Sequence, residues 1–324
     1  MPCRIVGTRA LGTALAVLTV CSTASAQAWL PPPREGSVTM AMQLLTADHL
    51  DRKGDFLDRG RVSSATLVTG LEYGVTELFS IDAKVAFVAA KHEGADRLHG
   101  PLDTGIYHGA VQDARLALGL QVPTHRSLAL APYVAVILPT HDYETRGHSA
   151  PGRHLRALQL GAWIGRDLDA VLPNVHVQGH YAFSFVERVG GMSINRSNLD
   201  VEAGYAPASF LTITVATGLQ RTHGGLEFPL PRDEHYDEVF PFHDRVAKDN
   251  RLSMSGGATV AVGSALSLYG TVIWTLWGQN THAVKGVTIG ASLKFGPALG
   301  LGGGGPAATD TQSRSIRPTG GFGR

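Results

Sequence analysis

Apolar and polar residues alternate one by one along most of this chain. In Val38, Met40, Met42 and Leu44 the apolar side chains take every second place, with Ser37, Thr39 and Gln43 between them. A second segment sets Ala65, Leu67, Leu71 and Tyr73 against Thr66, Gly70 and Glu72. A third sets Phe79, Ile81, Ala83, Val85 and Phe87 against Ser80, Asp82 and Lys84. The fourth sets Ala114, Leu116, Leu118, Leu120 and Val122 against Asp113, Arg115, Gly119 and Gln121. A period of two places one set on each face of a strand. Leu128–Leu138 is apolar on both parities. Alternation then resumes in Leu158–Ile164, Val175–Phe185, Leu199–Tyr205 and Leu211–Leu219. Leu252–Val260, Leu266–Leu276 and Val287–Phe295 complete a set of twelve segments. Each is about ten residues, the length a tilted strand needs to cross a bilayer.

The connections carry a second regularity. Those after even-numbered segments are short: 74–77, 123–127, 167–173, 206–209 and 263–264. Those after odd-numbered segments are long: 45–61, 91–109, 139–155, 187–197 and 222–250, with only the last, 278–283, brief. Short turns on one side and long loops on the other are the mark of an outer-membrane barrel. The predicted fold is therefore all-β: a transmembrane antiparallel up-and-down β-barrel of about twelve strands over residues 36–295. Closure follows from the solvent, because an open sheet edge in lipid leaves backbone groups unpaired. Tyr73, Phe79, Tyr205, Phe210 and Phe295 lie beside the short turns, where they form a periplasmic aromatic girdle. The last strand ends in a pattern resembling the signal read by barrel assembly machinery, with Gly290, Leu293 and Phe295 as its marks. It is followed by residues 296–324, rich in Gly, Pro, Ser and Thr, which predict a flexible tail.

The first 26 residues read as a targeting segment. Arg4 and Arg9 precede an apolar stretch from Ala10 to Cys21, and Ala24-Ser25-Ala26 is a small-x-small cleavage site. Cys21 as a lipidated residue is the competing reading, against which stands the bulk of Val20. Both cysteines, Cys3 and Cys21, fall in this segment, so the mature chain has no disulfide. No later run reaches the ~18 apolar residues of a transmembrane helix. Without Arg4 and Arg9 the chain has 26 basic and 27 acidic residues, a net of −1, which argues against a nucleic-acid partner. Residues 27–35 precede the first strand and are too few to predict a plug. The partners expected are outer-membrane lipid, the assembly machinery and a small-molecule solute.

Leu71-Glu72-Tyr73-Gly74-Val75-Thr76-Glu77-Leu78, Pro139-Thr140-His141-Asp142-Tyr143-Glu144-Thr145, Asn195-Arg196-Ser197-Asn198-Leu199-Asp200 and Gln220-Arg221-Thr222-His223-Gly224-Gly225 resemble stretches of a family of outer-membrane proteins. That family is grouped with transporters of the meta-pathway of phenol degradation. The resemblance spans residues 36–295. It implies a barrel and the transport of small aromatic or hydrophobic compounds, and it supplies no catalytic residues.

With apolar residues facing lipid, the inward set includes Glu72, Asp82, Lys84, Asp113, Arg115, His176, His180, Asp200, Glu202, Arg251, Lys285 and Lys294. On neighbouring strands Asp82 and Lys84 can pair with Arg115 and Asp113. Such a lumen is either a charge ladder that fills the barrel or a narrow hydrated pore. Twelve strands lie between the filled eight-strand barrels and the open sixteen-strand porins. Two function classes follow: a channel or transporter for small solutes, or a barrel that conducts nothing and works through structure or loop-mediated binding.

Eleven of the fourteen histidines fall in long loops or at their edges, where solvated side chains are the expectation. His235, Asp237, Glu238, His243 and Asp244 could gather a divalent metal, but no ligand spacing sits on a regular element, and neither a metal nor a cofactor is predicted. His176 and His180 are ~13 Å apart along one strand, too far to chelate one ion. An outer-membrane lipid hydrolase would need a Ser nucleophile with a His base. The candidates, His148-Ser149 with Asp142, are adjacent in a loop rather than spaced on a strand, so no enzyme is predicted.

Overall fold

The computed structural model describes residues 28–94, 100–124, 127–227 and 243–297. The targeting segment and nearly all of the tail lie outside them. So do His235, Asp237 and Glu238.

The alternating segments form one closed antiparallel sheet. Its strands are β1 (Gly36–Leu50), β2 (Phe56–Gly74), β3 (Phe79–Glu93), β4 (His108–Val111), β5 (Ala114–Leu120), β6 (Leu128–Leu138), β7 (Ala157–Asp167), β8 (Val175–Val186), β9 (Ile194–Ala208), β10 (Leu211–Gly224), β11 (Asn250–Val262), β12 (Leu266–Gln279) and β13 (Thr281–Phe295). Apart from β4 and β5, each pairs with the next in sequence. β1 pairs with β13, from Gly36 opposite Phe295 to Leu50 opposite Thr281, and this closes the barrel. β4 and β5 are two halves of one barrel strand, both paired with β3, so the wall holds twelve strands. They are separated by a bulge at Gln112-Asp113: Phe87 faces Val111, but Lys84 faces Arg115, one residue out of step. The bulge turns both Gln112 and Asp113 toward the interior. A one-turn helix, α1 (His243–Val246), precedes β11.

The barrel is inside-out relative to a soluble protein. Met40, Met42, Leu116, Leu118, Leu158, Leu160 and Ile289 are exposed on the outer wall, while Gln43, Thr66, Ser80, Gln159, Gln178 and Thr288 are buried within it. In lipid this is the stable arrangement, because the apolar band meets hydrocarbon and the inward polar groups find one another. At the short-turn end Tyr73 and Phe295 stack with ring centroids 6.2 Å apart, flanked by outward-facing Phe79, Tyr205 and Phe210.

Three features depart from the sequence expectation. The hairpins β1–β2 and β2–β3 continue as strand beyond the segments read from alternation, so part of 45–61 is ladder and not loop. β12 and β13 are joined by a single residue, Asn280, at φ 47°, a left-handed conformation asparagine tolerates. The third concerns residues 28–30, which do enter the barrel. Ala28 is fully buried and its N–H points at Gln178 Oε1 (3.4 Å), while the Leu30 N–H donates to Gln121 Oε1 (3.0 Å). An inward glycine makes the room: a Cβ on Gly165 would stand 2.4 Å from the Trp29 ring and 2.6 Å from Ala28. Length alone argues against a plug here, but length is not what decides it. Three residues suffice when the wall around them is small and offers acceptors.

Candidate functional site

An internal cavity of about 390 Å³ runs through the lumen. Its walls fall into three levels, set by where each strand delivers its inward side chains.

At the periplasmic level the segment Ala28–Leu30 occupies the space between β5, β7 and β8. Gln178, which faces Ala28, donates to Glu202 Oε1 (2.8 Å), and His176 Nε2 stands 4.0 Å from the same oxygen. Glu72 lines the cavity opposite Ser37 and Asp82. Lys294 sits across from Ser37 on the inward parity and is exposed at the mouth.

At mid-lumen a continuous belt of polar contacts crosses six strands. Asp82 on β3 accepts Lys84 Nζ at 3.2 Å and also the Arg115 guanidinium from β5. Arg115 Nε donates to Gln159 Oε1 on β7 (3.3 Å), and its guanidinium lies over the Tyr133 ring at 5.0 Å. The Tyr133 hydroxyl on β6 is 3.1 Å from Gln159 Oε1 and 2.8 Å from His180 Nε2 on β8. His180 Nδ1 is 2.8 Å from Asp200 Oδ2 on β9, and Trp163 stacks on the imidazole at 4.2 Å. Both signs of charge are thus held rigidly against one side of the lumen.

At the extracellular level residues 139–156 fold back into the mouth. The Tyr143 hydroxyl donates to Asp113 Oδ1 (2.6 Å) and accepts the His154 N–H (2.9 Å); burial, and then the Asp113 carboxylate, push this hydroxyl far above the usual phenol range. Asp113 therefore pairs with the loop rather than with a cation on a neighbouring strand. Asp103 accepts the backbone N–H groups of His148 and Ser149 (2.8 and 2.9 Å) and the Ser149 hydroxyl (2.9 Å). Arg153 reaches across to Asp249 (3.2 Å), which also accepts from Gln220 Nε2 (2.6 Å) and the Thr222 hydroxyl (2.9 Å). Burial works against the Asp249 charge, but Arg153 and Arg196 outweigh it and hold the carboxyl below its usual range. A small apolar cluster of Leu155, Val189, Ile194 and Val246 seals the roof.

Of the predicted lumen residues, Glu72, Asp82, Lys84, Asp113, Arg115, His180, Asp200 and Glu202 line one cavity. His176 and Arg251 project inward below and above it, with Arg251 only 5% exposed. Lys285 is a correction. It shares the face of exposed Val287 and Ile289, so it points out of the barrel, near Asp48 and Arg61 at the extracellular rim. Its polarity suggested the lumen, but its parity in β13 was already that of the lipid-facing set. Gly290 faces inward against the Tyr269 ring, and Leu293 and Phe295 face outward.

The loop histidines are also corrected in part. His49, His92, His148 and His282 converge inside the extracellular mouth, with ring centroids of His49 4.6 Å from His148 and 4.4 Å from His282, and His92 5.0 Å from His148. No group among the described residues is arranged to hold a metal ion. Ser149 is fully buried, its hydroxyl oxygen 2.9 Å from both Asp103 Oδ1 and the Leu102 carbonyl oxygen, which share its one proton. Asp142 is solvent-exposed beside His154, not beside His148. These three groups are not assembled as nucleophile, base and orienter. Sequence reasoning missed Asp103, Arg153, Arg196 and Asp249, since each acts through a partner 27 or more residues away.

No family profile and no curated protein matches the sequence. Solved structures do match. An outer membrane channel from Pseudomonas putida F1 superposes with a TM-score of 0.63 at 11% identity, over 82% of this chain and 97% of that one. The fold is that of an outer-membrane β-barrel. The NanC porin (TM-score 0.47, 8% identity, 80% of this chain and 100% of that) and the KdgM porin in complex with disordered oligogalacturonate (0.43, 8%, 79% and 99%) are more distant. At these identities the likeness is one of fold.

Proposed function

We propose that this protein is an outer-membrane channel for small solutes, exported by its N-terminal segment and inserted with its short turns on the periplasmic side. The observation that carries the reading is the mid-lumen belt from Lys84 to Asp200. Fixed charges of both signs on one wall, with Tyr133 and Trp163 beside them, grip polar and planar solutes without filling the barrel. The resemblance to phenol-pathway transporters adds that the cargo includes small aromatic or hydrophobic compounds, and Trp163 and Tyr133, which line the cavity, are the aromatic side chains that would meet them.

A second reading is a barrel that conducts nothing and binds through its loops. It is favoured by one observation: Ala28–Leu30 obstruct the periplasmic end, and residues 139–156 roof the other. Swelling of liposomes that contain the folded mature chain separates the two. The channel reading expects swelling in small solutes that falls off with solute size. Swelling no faster than protein-free liposomes, with the barrel shown to be folded, would overturn it.

A further inference from the structure

Three arginines meet beneath the roof, and among the described residues one carboxylate lies within ion-pair reach of them. Arg153 is 3.2 Å from Asp249, and Arg196 is 4.0 Å from it. Arg251, buried, stands in the same field. Asp249 also takes the Thr222 hydroxyl and the Gln220 amide, so its acceptor sites are largely filled. Asp113, the next carboxylate, is bonded to Tyr143. The result is a surplus of buried donors: among the described residues Arg153 Nε and Nη1 and Arg196 Nε and Nη2 have no hydrogen-bond partner. Buried guanidinium donors without acceptors are costly. Water could accept these hydrogen bonds but would not balance the charge.

We propose that this cluster is a binding site for a small organic carboxylate, seated on Arg153 and Arg196 with Arg251 beside them. A carboxylate offers two coplanar oxygens and one negative charge, which match the guanidinium fork and the missing counter-charge together. Both arginines line the lumen cavity, whose ~390 Å³ sets the ligand's size. As a statement about cargo this rests on the channel reading: an anion entering from outside would dock here before meeting the Lys84–Arg115 belt.

The probe is benzoate, with benzamide as its uncharged counterpart. Calorimetry on the folded mature chain in detergent at low ionic strength is expected to show saturable benzoate binding that benzamide does not compete away. Arg196→Gln is expected to weaken it about tenfold or more, and Arg196→Lys to restore only part. Arg153→Gln combined with Asp249→Asn removes both charges of the buried pair and leaves neither alone, so it tests the site even if a single variant fails to fold. Absence of benzoate binding by the folded wild type, or equal binding by Arg196→Gln and by the double variant, overturns the site. Binding is read without flux, so the two readings fail separately. A barrel that binds benzoate yet swells no liposomes keeps the site and loses the channel, and one that swells liposomes but ignores benzoate does the reverse.

Discussion

Asp82 receives Lys84 and Arg115 at once, so two cations of the belt share one carboxylate. Arg115→Ala should therefore lower the anion-to-cation permeability ratio several-fold, as measured by reversal potential in a salt gradient, and Lys84→Ala should move it the same way. A ratio unchanged in both would remove the belt from the conduction path. Asp249 makes the other residue-scale prediction. It is fully buried against two arginines, so Asp249→Ala leaves them unpaired and should destabilise the roof by about 3–5 kcal/mol, read as faster amide exchange in residues 150–156 and 220–224. Its folded carboxyl titrates below its unfolded value. The stabilisation is therefore complete above the ordinary carboxylate range and is lost as pH falls through the depressed value. Protection of these amides, corrected for intrinsic rates, should hold from pH 7 to 5 and drop below about pH 4; loss of protection already at pH 6 would exclude Asp249 as the cause. Such residues were hard to read in the sequence because neither parity nor spacing marks them. Asp249 lies in a loop, and Arg153 reaches it across 96 positions of chain. Asp82, Lys84 and Arg115 were legible because a regular strand fixes which way they point.

Among the elements, strands obey a local rule and loops do not. Alternation located the barrel strands, and the short turns gave their order, since each sequential pair forms a hairpin. The bulge at Gln112-Asp113 is where the local rule breaks, and it is where the wall hands Asp113 to Tyr143 of the roof. The N-terminal segment follows no period at all. Its placement depends on Gly165 and Gly119, whose inward faces are empty enough to admit Trp29 and Leu30. Gly165→Leu should expel the segment, because even a Cβ there stands 2.4 Å from the Trp29 ring. A spin label or fluorophore at residue 29 should then report a solvent-exposed, mobile site, and a signal as immobilised as in the parent protein would contradict the placement. At the other end of the chain, Phe295 stacks on Tyr73 across the β1–β13 closure. Phe295→Ala should slow insertion by the assembly machinery while leaving the folded barrel's strand content unchanged in circular dichroism.

The whole molecule is a closed wall with a polar lumen that is obstructed from both ends by its own chain. Closure was legible because lipid permits few alternatives: an apolar outer face at period two must curl until its edges meet. The obstruction was not legible, because it arises from contacts that close only after the barrel exists. Ala28 meets Gln178 across 150 positions, and Asp103 holds Ser149 across 46. A channel of this build passes solutes through the lumen, with residues 28–30 limiting the flow. Single-channel recording in planar bilayers, comparing the mature chain with a variant lacking residues 28–33, tests both parts at once. Discrete conductance steps are expected for the mature chain, and severalfold larger steps for the shortened one. Silent bilayers with both folded proteins, or identical steps from the two, would contradict it.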